Sequence, residues 1–345
     1  MLLLFTGDTN LQNRTDPATA FTHVLPTLKD ADFLLGHLEG PLSPPSSDPT
    51  VPDIPHKPGW RHSDPAMVQA LVAAGYAAVS LASNVTYGAE AIRSTLATLD
   101  AAGIAHCGAG LDYESARHPA IVERDGVRVG LLSYTSVFWP VGHAAGAGTP
   151  GVATIRATTA YQPHHRVQEM PGAPAIVVTT PDPEQLTAME EDVRRLRQEV
   201  DVLIVSCHWG VSSSPVVQDY QRAVGRAAIA AGADVVFGHH PHVFQGIEVF
   251  QGRPIFYSLG NFAFDWTKMH GRRLDGLLIR GTIEDGRLRQ VSFVPARRDP
   301  ENLIRLHTPE TPEGREMVAQ MVALSDEFGT KLLPGESEVV VDGCS

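Results

Sequence analysis

Asp201-Val202-Leu203-Ile204-Val205-Ser206-Cys207-His208-Trp209-Gly210, Ala233-Asp234-Val235-Val236-Phe237-Gly238-His239-His240-Pro241-His242 and Ile255-Phe256-Tyr257-Ser258-Leu259-Gly260-Asn261-Phe262-Ala263-Phe264-Asp265 are three short apolar runs, each ending in polar residues and glycine. Runs this short, rich in β-branched and aliphatic residues, predict buried strands. In open α/β sheets ligands bind beyond the carboxyl ends of the strands. His208, His240, His242 and Asn261 are therefore expected to converge on one crevice. Three imidazoles at strand ends form a metal-ligand pattern; the competing interpretation is separate helix caps and satisfied loop histidines.

Working outward, Leu2 to Thr6 predicts a strand that delivers Asp8 in the turn Gly7-Asp8-Thr9-Asn10. A helix is expected over 17–29 with Asp16 as N-cap, although Pro26 interrupts it. The strand Phe33 to Leu38 delivers Glu39, and Pro and Ser crowd residues 41–58 into a loop with Lys57, Trp60, Arg61 and His62 at its far end. A helix from Asp64 to Ala74 leads to a strand over 77–82 that delivers Asn84, and an amphipathic helix covers 89–102. Asp125-Gly126 and Glu284-Asp285-Gly286 mark hairpins. A strand is expected over 175–179, and further helices over 184–199, 220–231 and 309–328. Strand and helix alternate with hairpins interspersed, which predicts mixed sheets covered by helices. Residues 1–330 are expected to form a single domain. Residues 134–172 lack periodicity and are expected to be an insertion or lid loop on the substrate side. Residues 331–345 are expected to be a poorly ordered tail.

Lys plus Arg number 27 against 39 Asp plus Glu, a net charge of −12, which argues against nucleic-acid binding and against an anionic membrane surface. Three cysteines, Cys107, Cys207 and Cys344, imply no disulfide framework. The N-terminus lacks a basic segment and a long apolar segment, so no signal peptide is expected. No apolar run approaches about 18 residues, so no membrane span is expected. A cytoplasmic location without a membrane anchor follows as the default.

The polar residues expected at strand ends are Asp8, Glu39, Asn84, His208, His240 and His242. A carboxylate can bridge two divalent ions about 3.5–4 Å apart, with imidazole nitrogens and amide oxygens completing each shell. Mixed oxygen and imidazole donors suit Mn, Fe or Zn. On Gly7-Asp8, Leu38-Glu39-Gly40, Leu81-Ala82-Ser83-Asn84, Gly108-Ala109-Gly110, His208-Trp209-Gly210, Gly238-His239-His240-Pro241-His242 and Tyr257-Ser258-Leu259-Gly260-Asn261-Phe262, the sequence resembles the CapA family, the poly-γ-glutamate capsule synthesis proteins, which are similar to calcineurin-like metallophosphoesterases. The resemblance implies a four-layer α/β/β/α sandwich with its site at one edge. It implies Asp8, Glu39 and His242 around one ion, with Glu39 bridging to a second held by Asn84, His208 and His240. Three positions depart from the related phosphoesterases. Val85 stands where a histidine usually follows Asn84, Asn10 where Asp-x-His has histidine, and Glu39 where the bridging residue is commonly Asp.

The expected function is that of a metal-dependent hydrolase acting on a phosphoester or an anionic polymer-related substrate, with Asp8, Glu39, His208 and His240 catalytic. Asn10, Trp139, Arg166 and Asn261 are the candidate substrate-binding residues, and His37, His62, His143 and Arg166 are candidates to donate a proton or bind an anion. The substrate is expected to be a small or peptide-like anion. Two alternatives stay open. One is a metal-independent acid–base enzyme on a peptide, epimerase-like, with Asp8, Glu39 and a histidine as its acid–base set. The other is a non-catalytic accessory protein of poly-γ-glutamate synthesis.

Overall fold

The computed structural model describes residues 1–48, 50–272 and 274–344. The first sheet is built around Leu2–Asn10, which pairs in parallel with Phe33–Leu38 on one side and antiparallel with Asp275–Glu284 on the other. Tyr76–Ser80 and Ala105–Cys107 extend it in one direction, Arg287–Arg298 in the other. The second sheet has the order Ile247–Phe250, Arg253–Phe256, Val235–His239, Val202–His208, Val127–Thr135, Ala120–Arg124. Its four central strands run parallel.

Alternation along each strand decides what lies between the sheets, because successive side chains point to opposite faces. Leu3 and Phe5, Phe33 and Leu35, Val202 and Ile204, and Val235 and Phe237 share one buried cluster. Phe5 meets Phe237 with ring centroids 4.4 Å apart. The intervening residues face outward. Leu4, Leu34 and Val79 pack with residues of Leu25–Lys29, Val68–Ala74 and Ala89–Ala102. Leu203, Val205 and Val236 pack with residues of Pro183–Arg197 and Asp219–Ala231. The result is a four-layer α/β/β/α sandwich with strands buried on both faces.

Four expectations are corrected. The helix over 17–29 is a 3-10 turn, Pro17–Thr19, followed by a separate α-helix, Leu25–Lys29. Pro26 occupies the first turn of that second helix, where its missing N–H breaks no bond. The stretch from 134 is not structureless. It contributes Gly151–Val152, which pairs with Ala109–Gly110, and Ala157–Gln162. The strand expected over 175–179 is Ile176–Pro181, which leaves the main sheets to form a two-stranded hairpin with Ala157–Gln162. The expected tail is also paired: Leu332–Pro334 and Val339–Val341 extend the first sheet beyond Arg287–Arg298. Val339 and Val341 bury their side chains between the sheets, which outweighs the ordering entropy of a terminus. The two hairpins form where expected, with positive φ at Asp125 and Gly126 and at Asp285 and Gly286, as a tight two-residue turn requires. No helix among the described residues is long and apolar enough to cross a membrane.

Candidate metal centre

The alternation that fills the inter-sheet space with apolar residues continues to the carboxyl ends of the strands, where the same faces turn polar. His37 follows Phe33 and Leu35, Ser80 follows Ala78, Ser206 and His208 follow Val202 and Ile204, and His239 follows Val235 and Phe237. All five are buried. The strand Leu2–Asn10 adds Asp8, and the loops leaving the other strands add Glu39, Asn84, His240 and His242, also buried, with Asp8 and Glu39 wholly shielded from solvent.

Asp8 sits where Leu2–Asn10 shifts register against Phe33–Leu38 and against Asn261–Phe264. Its Oδ1 lies 2.7 Å from His239 Nδ1, and its Oδ2 accepts the His240 backbone N–H at 3.2 Å and lies 3.3 Å from His242 Nδ1. Burial alone would raise the Asp8 carboxyl, but the His239 and His242 hydrogen bonds outweigh it and hold it well below the usual carboxylate range. Asp8 is thus an ionised acceptor, and both imidazoles donate to it from Nδ1. His242 then presents Nε2, 3.8 Å from Glu39 Oε1. That separation admits one cation between them, since Zn–N and Zn–O bonds are each about 2 Å. Asp8, Glu39 and His242 each offer an atom within 4.8 Å of the others.

Glu39, in contrast, has no hydrogen-bond partner for either carboxylate oxygen among the described residues. Burial pushes its carboxyl up to about 8; His242 opposes this and Asp8 adds to it. Asn84 Oδ1, His208 Nε2 and His239 Nε2 are likewise buried without partners. Asn84 Nδ2 is 3.2 Å from His240 Nδ1, and the His208 and His240 rings lie 4.9 Å apart. Burial, reinforced by His240, holds His208 well below its ordinary value; burial, reinforced by His242, lowers His240 to about 3. Both are therefore neutral near pH 7; His208 has its Nε2 lone pair available to a ligand, while His240 Nδ1 accepts from the Asn84 amide. Unsatisfied buried polar atoms are rare because each is costly, so a concentration of them calls for something absent from the polypeptide. Carboxylate, amide oxygen and imidazole are donors that suit a divalent transition ion. The residues present fit such a group.

Two histidines with no firm role in the sequence are central here. His37 places Nε2 3.1 Å from His208 Nδ1 and Nδ1 2.9 Å from Ser80 Oγ, and Ser80 in turn meets Ser206 Oγ at 2.8 Å. With His208 Nε2 presented as an acceptor, Nδ1 carries the proton and donates to His37, which donates onward to Ser80. His37 thus gives that tautomer of His208 its hydrogen-bond partner. His239 orients Asp8 and stacks on His37 with centroids 4.3 Å apart. Period-two alternation was the available signal, since both imidazoles occupy the inward-facing series of their strands.

Other expected site residues lie elsewhere or do other work. Asn10 donates Nδ2–H to the Glu39 carbonyl at 2.7 Å, and its Oδ1 accepts the Gln12 N–H at 3.2 Å. Each end of its amide makes one bond, and through the first Asn10 holds the Glu39 turn. Asn261 uses both ends on His242, Oδ1 against Nδ1 at 3.0 Å and Nδ2–H to the carbonyl at 3.1 Å. It positions that histidine. The backbone it braces is strained: His240 and His242 have φ of 94° and 58°. Such conformations persist only where the surroundings impose them. Arg166 is exposed and pairs with Glu169 at 2.8 Å, with no bond to the cluster. His143 accepts the Trp139 N–H at Nδ1 and donates Nε2–H to the Ser83 carbonyl, so it clamps the Trp139 loop to the Asn84 turn. His62 lies beside Asp53, away from these contacts. Trp139, 46% exposed, stacks on His56 at 4.1 Å. Val85 is buried in an apolar cluster with Trp60 and Phe264 and offers no proton.

Residues 3–266 match the model of the family described as bacterial capsule synthesis protein PGA_cap. The chain belongs to that family. It is similar to the capsule biosynthesis protein CapA of Bacillus anthracis, 28% identical over 296 residues that cover 82% of this chain and 62% of that protein. It is similar to the PGA biosynthesis protein CapA of Bacillus subtilis (strain 168), 30% identical over 253 residues that cover 72% of this chain and 58% of that protein. The chain therefore spans about three fifths of the length of these relatives. A crystal structure described as a novel phosphatase from Mycoplasma pneumoniae matches with a TM-score of 0.50 at 10% identity, covering 88% of this chain and 95% of that one. At that identity the likeness is one of fold.

Proposed function

We propose that this family member is a metal-dependent hydrolase that acts on an anionic substrate, a phosphoester foremost, at a dinuclear centre. The observation that carries this reading is the set of buried donor atoms left without partners: both Glu39 oxygens, Asn84 Oδ1 and His208 Nε2. Asp8, Glu39 and His242 would hold one ion; Glu39, Asn84, His208 and His240 would hold the other. Divalent ions there would supply Lewis acidity, polarising a phosphoryl oxygen and lowering the pKa of water. The chain's own residues do the rest. His239 and Asn261 orient Asp8 and His242, His37 gives His208 Nδ1 a partner, and burial keeps His208 and His240 neutral at pH 7. The ions themselves, their identity and their number belong to this proposal.

The test is the metal content of protein purified without chelator, beside that of His208→Ala/His240→Ala. About two equivalents of Mn, Fe or Zn, lost in the double variant, support a dinuclear centre. Phosphomonoester and phosphodiester screens with chelator controls would follow. Absence of metal after reconstitution would remove the hydrolase reading.

A further inference from the structure

The loop that ends at Trp60 carries a cation whose placement the donor set does not explain. Ile54 and Trp60 anchor this loop in the cluster that contains Val85 and Phe264. Trp60 meets Phe264 edge-on at 6.1 Å, and Phe264 meets His242 edge-on at 5.0 Å. The same indole passes beside Gly40, the residue after Glu39. Lys57 lies over the Trp60 ring, its Nζ 5.4 Å from the centroid. Next to it, His56 stacks on Trp139 and meets Tyr87 edge-on at 4.7 Å. His143 fastens the Trp139 loop to Ser83, the neighbour of Asn84. The loop thus passes from the Glu39–His242 side of the centre to the Asn84 side, with Lys57 between.

Among the described residues the Lys57 ammonium forms no hydrogen bond and no ion pair. Its charge nevertheless reaches Glu39, His240 and His143. Its opposite-charge neighbour is Glu39, itself one of the donors, so once Glu39 holds a cation the ammonium works against cation binding through charge repulsion. It works in favour of binding when an anion lies between the two. We propose that Lys57 holds the anionic group of the substrate, a phosphate or carboxylate, against the donor cluster. The inference rests on the anionic-substrate reading above, but it concerns a contact between ammonium and anion that can be measured separately. The competing interpretation is that the lysine stem merely covers Trp60 while its head stays in water.

Lys57→Met keeps an unbranched stem over Trp60 and removes the charge. Two affinities separate the interpretations: that of Mn²⁺ for the protein, and those of inorganic phosphate and of glutarate for the Mn²⁺-loaded protein, all by calorimetry. The expected result is a loss of about 10- to 100-fold in affinity for one or both anions, the size of a lost charged hydrogen bond. Mn²⁺ affinity should stay unchanged or rise. Preference for phosphate or glutarate in the native chain assigns the group, and Lys57→Arg should retain most of that affinity. A variant that binds the anions as tightly as the native chain overturns the proposal. So does a parallel loss of metal and anion, which marks damage to the loop, and so does native protein that binds metal but neither anion. If the native chain binds no metal, the proposed hydrolase centre fails, and the same anion titrations on the metal-free protein still decide the role of Lys57.

Discussion

Replacing His37 by Phe would test how far the centre depends on a residue that is not itself a donor. The change keeps a planar, somewhat larger ring but removes both ring nitrogens. Ser80 keeps Ser206 as a partner at 2.8 Å, so it is not orphaned. His208 Nδ1 loses its one hydrogen-bond neighbour among the described residues, 3.1 Å away, in a buried position. One unsatisfied buried N–H costs about 1–3 kcal/mol, so urea unfolding of the metal-free variant should show a loss of that size rather than twice it. The second effect is on the tautomer. Without an acceptor at Nδ1, His208 is no longer held with its Nε2 lone pair toward the cluster. Loss of such an orienting partner lowers metal affinity about 10- to 100-fold. Mn²⁺ titration of the native chain, His37→Phe and His37→Gln would measure it. Gln offers an amide oxygen to the His208 N–H and should recover part of the affinity. Unchanged metal affinity in His37→Phe, alongside the expected loss of stability, would refute the orienting role and leave His37 as packing alone.

Four other outcomes are expected. Burial holds the Glu39 carboxyl at about 8 in the metal-free chain, so it is mostly protonated at pH 7, and a cation must displace that proton. Loading at pH 7 should therefore release close to one proton from Glu39, falling toward zero above about pH 9, with apparent affinity rising through that range; calorimetry in buffers of different ionisation enthalpy measures it. Asn261→Ala should lower metal affinity about 10- to 100-fold through its hold on His242, while direct loss of a donor, as in Asn84→Ala, should change metal stoichiometry as well. Gly7→Ala would place a Cβ 2.5 Å from the Gly260 carbonyl oxygen, which accepts the Asp8 N–H; the overpacking should lower stability by about 1–3 kcal/mol in urea unfolding and weaken metal binding with it. Arg166→Ala should change stability by less than about 0.5 kcal/mol and leave anion affinity unaltered, because its pair with Glu169 is exposed.

The architecture was legible because burial on both faces leaves a strong mark: Val202 to Val205 and Val235 to Phe237 have no polar residue to spare, and each strand ends abruptly in chemistry. Asp8, Glu39, Asn84, His208, His240 and His242 could be named from those endings. What sequence could not separate was a donor from its support. Asn10 and Asn261 have the same side-chain chemistry as Asn84, yet each bonds protein groups at both ends of its amide, and only the fold reveals the partners. The roles of His37 and His239 depend on two sheets facing each other, a relation between strands about 200 residues apart in sequence. Arg166 was drawn in by charge and by proximity to aromatics in the chain, neither of which carries distance information. The paired strands beyond Lys331 were missed because three-residue strands have too short a period to register.

The donors divide between the two sheets, Asp8, Glu39 and Asn84 lying in or just after strands of the first, and His208, His240 and His242 in or just after strands of the second. An ion gripped by both sets would be a rivet across the seam of the sandwich. Ligation would then add to global stability as RT ln(1 + [ion]/Kd), about 2.7 kcal/mol at one hundred times Kd. The gain would be concentrated where the sheets meet at this edge, and amide exchange there should slow most. In that sense the centre would be as much a fastener as a reaction vessel, and a cell short of metal would hold a looser protein as well as an idle one.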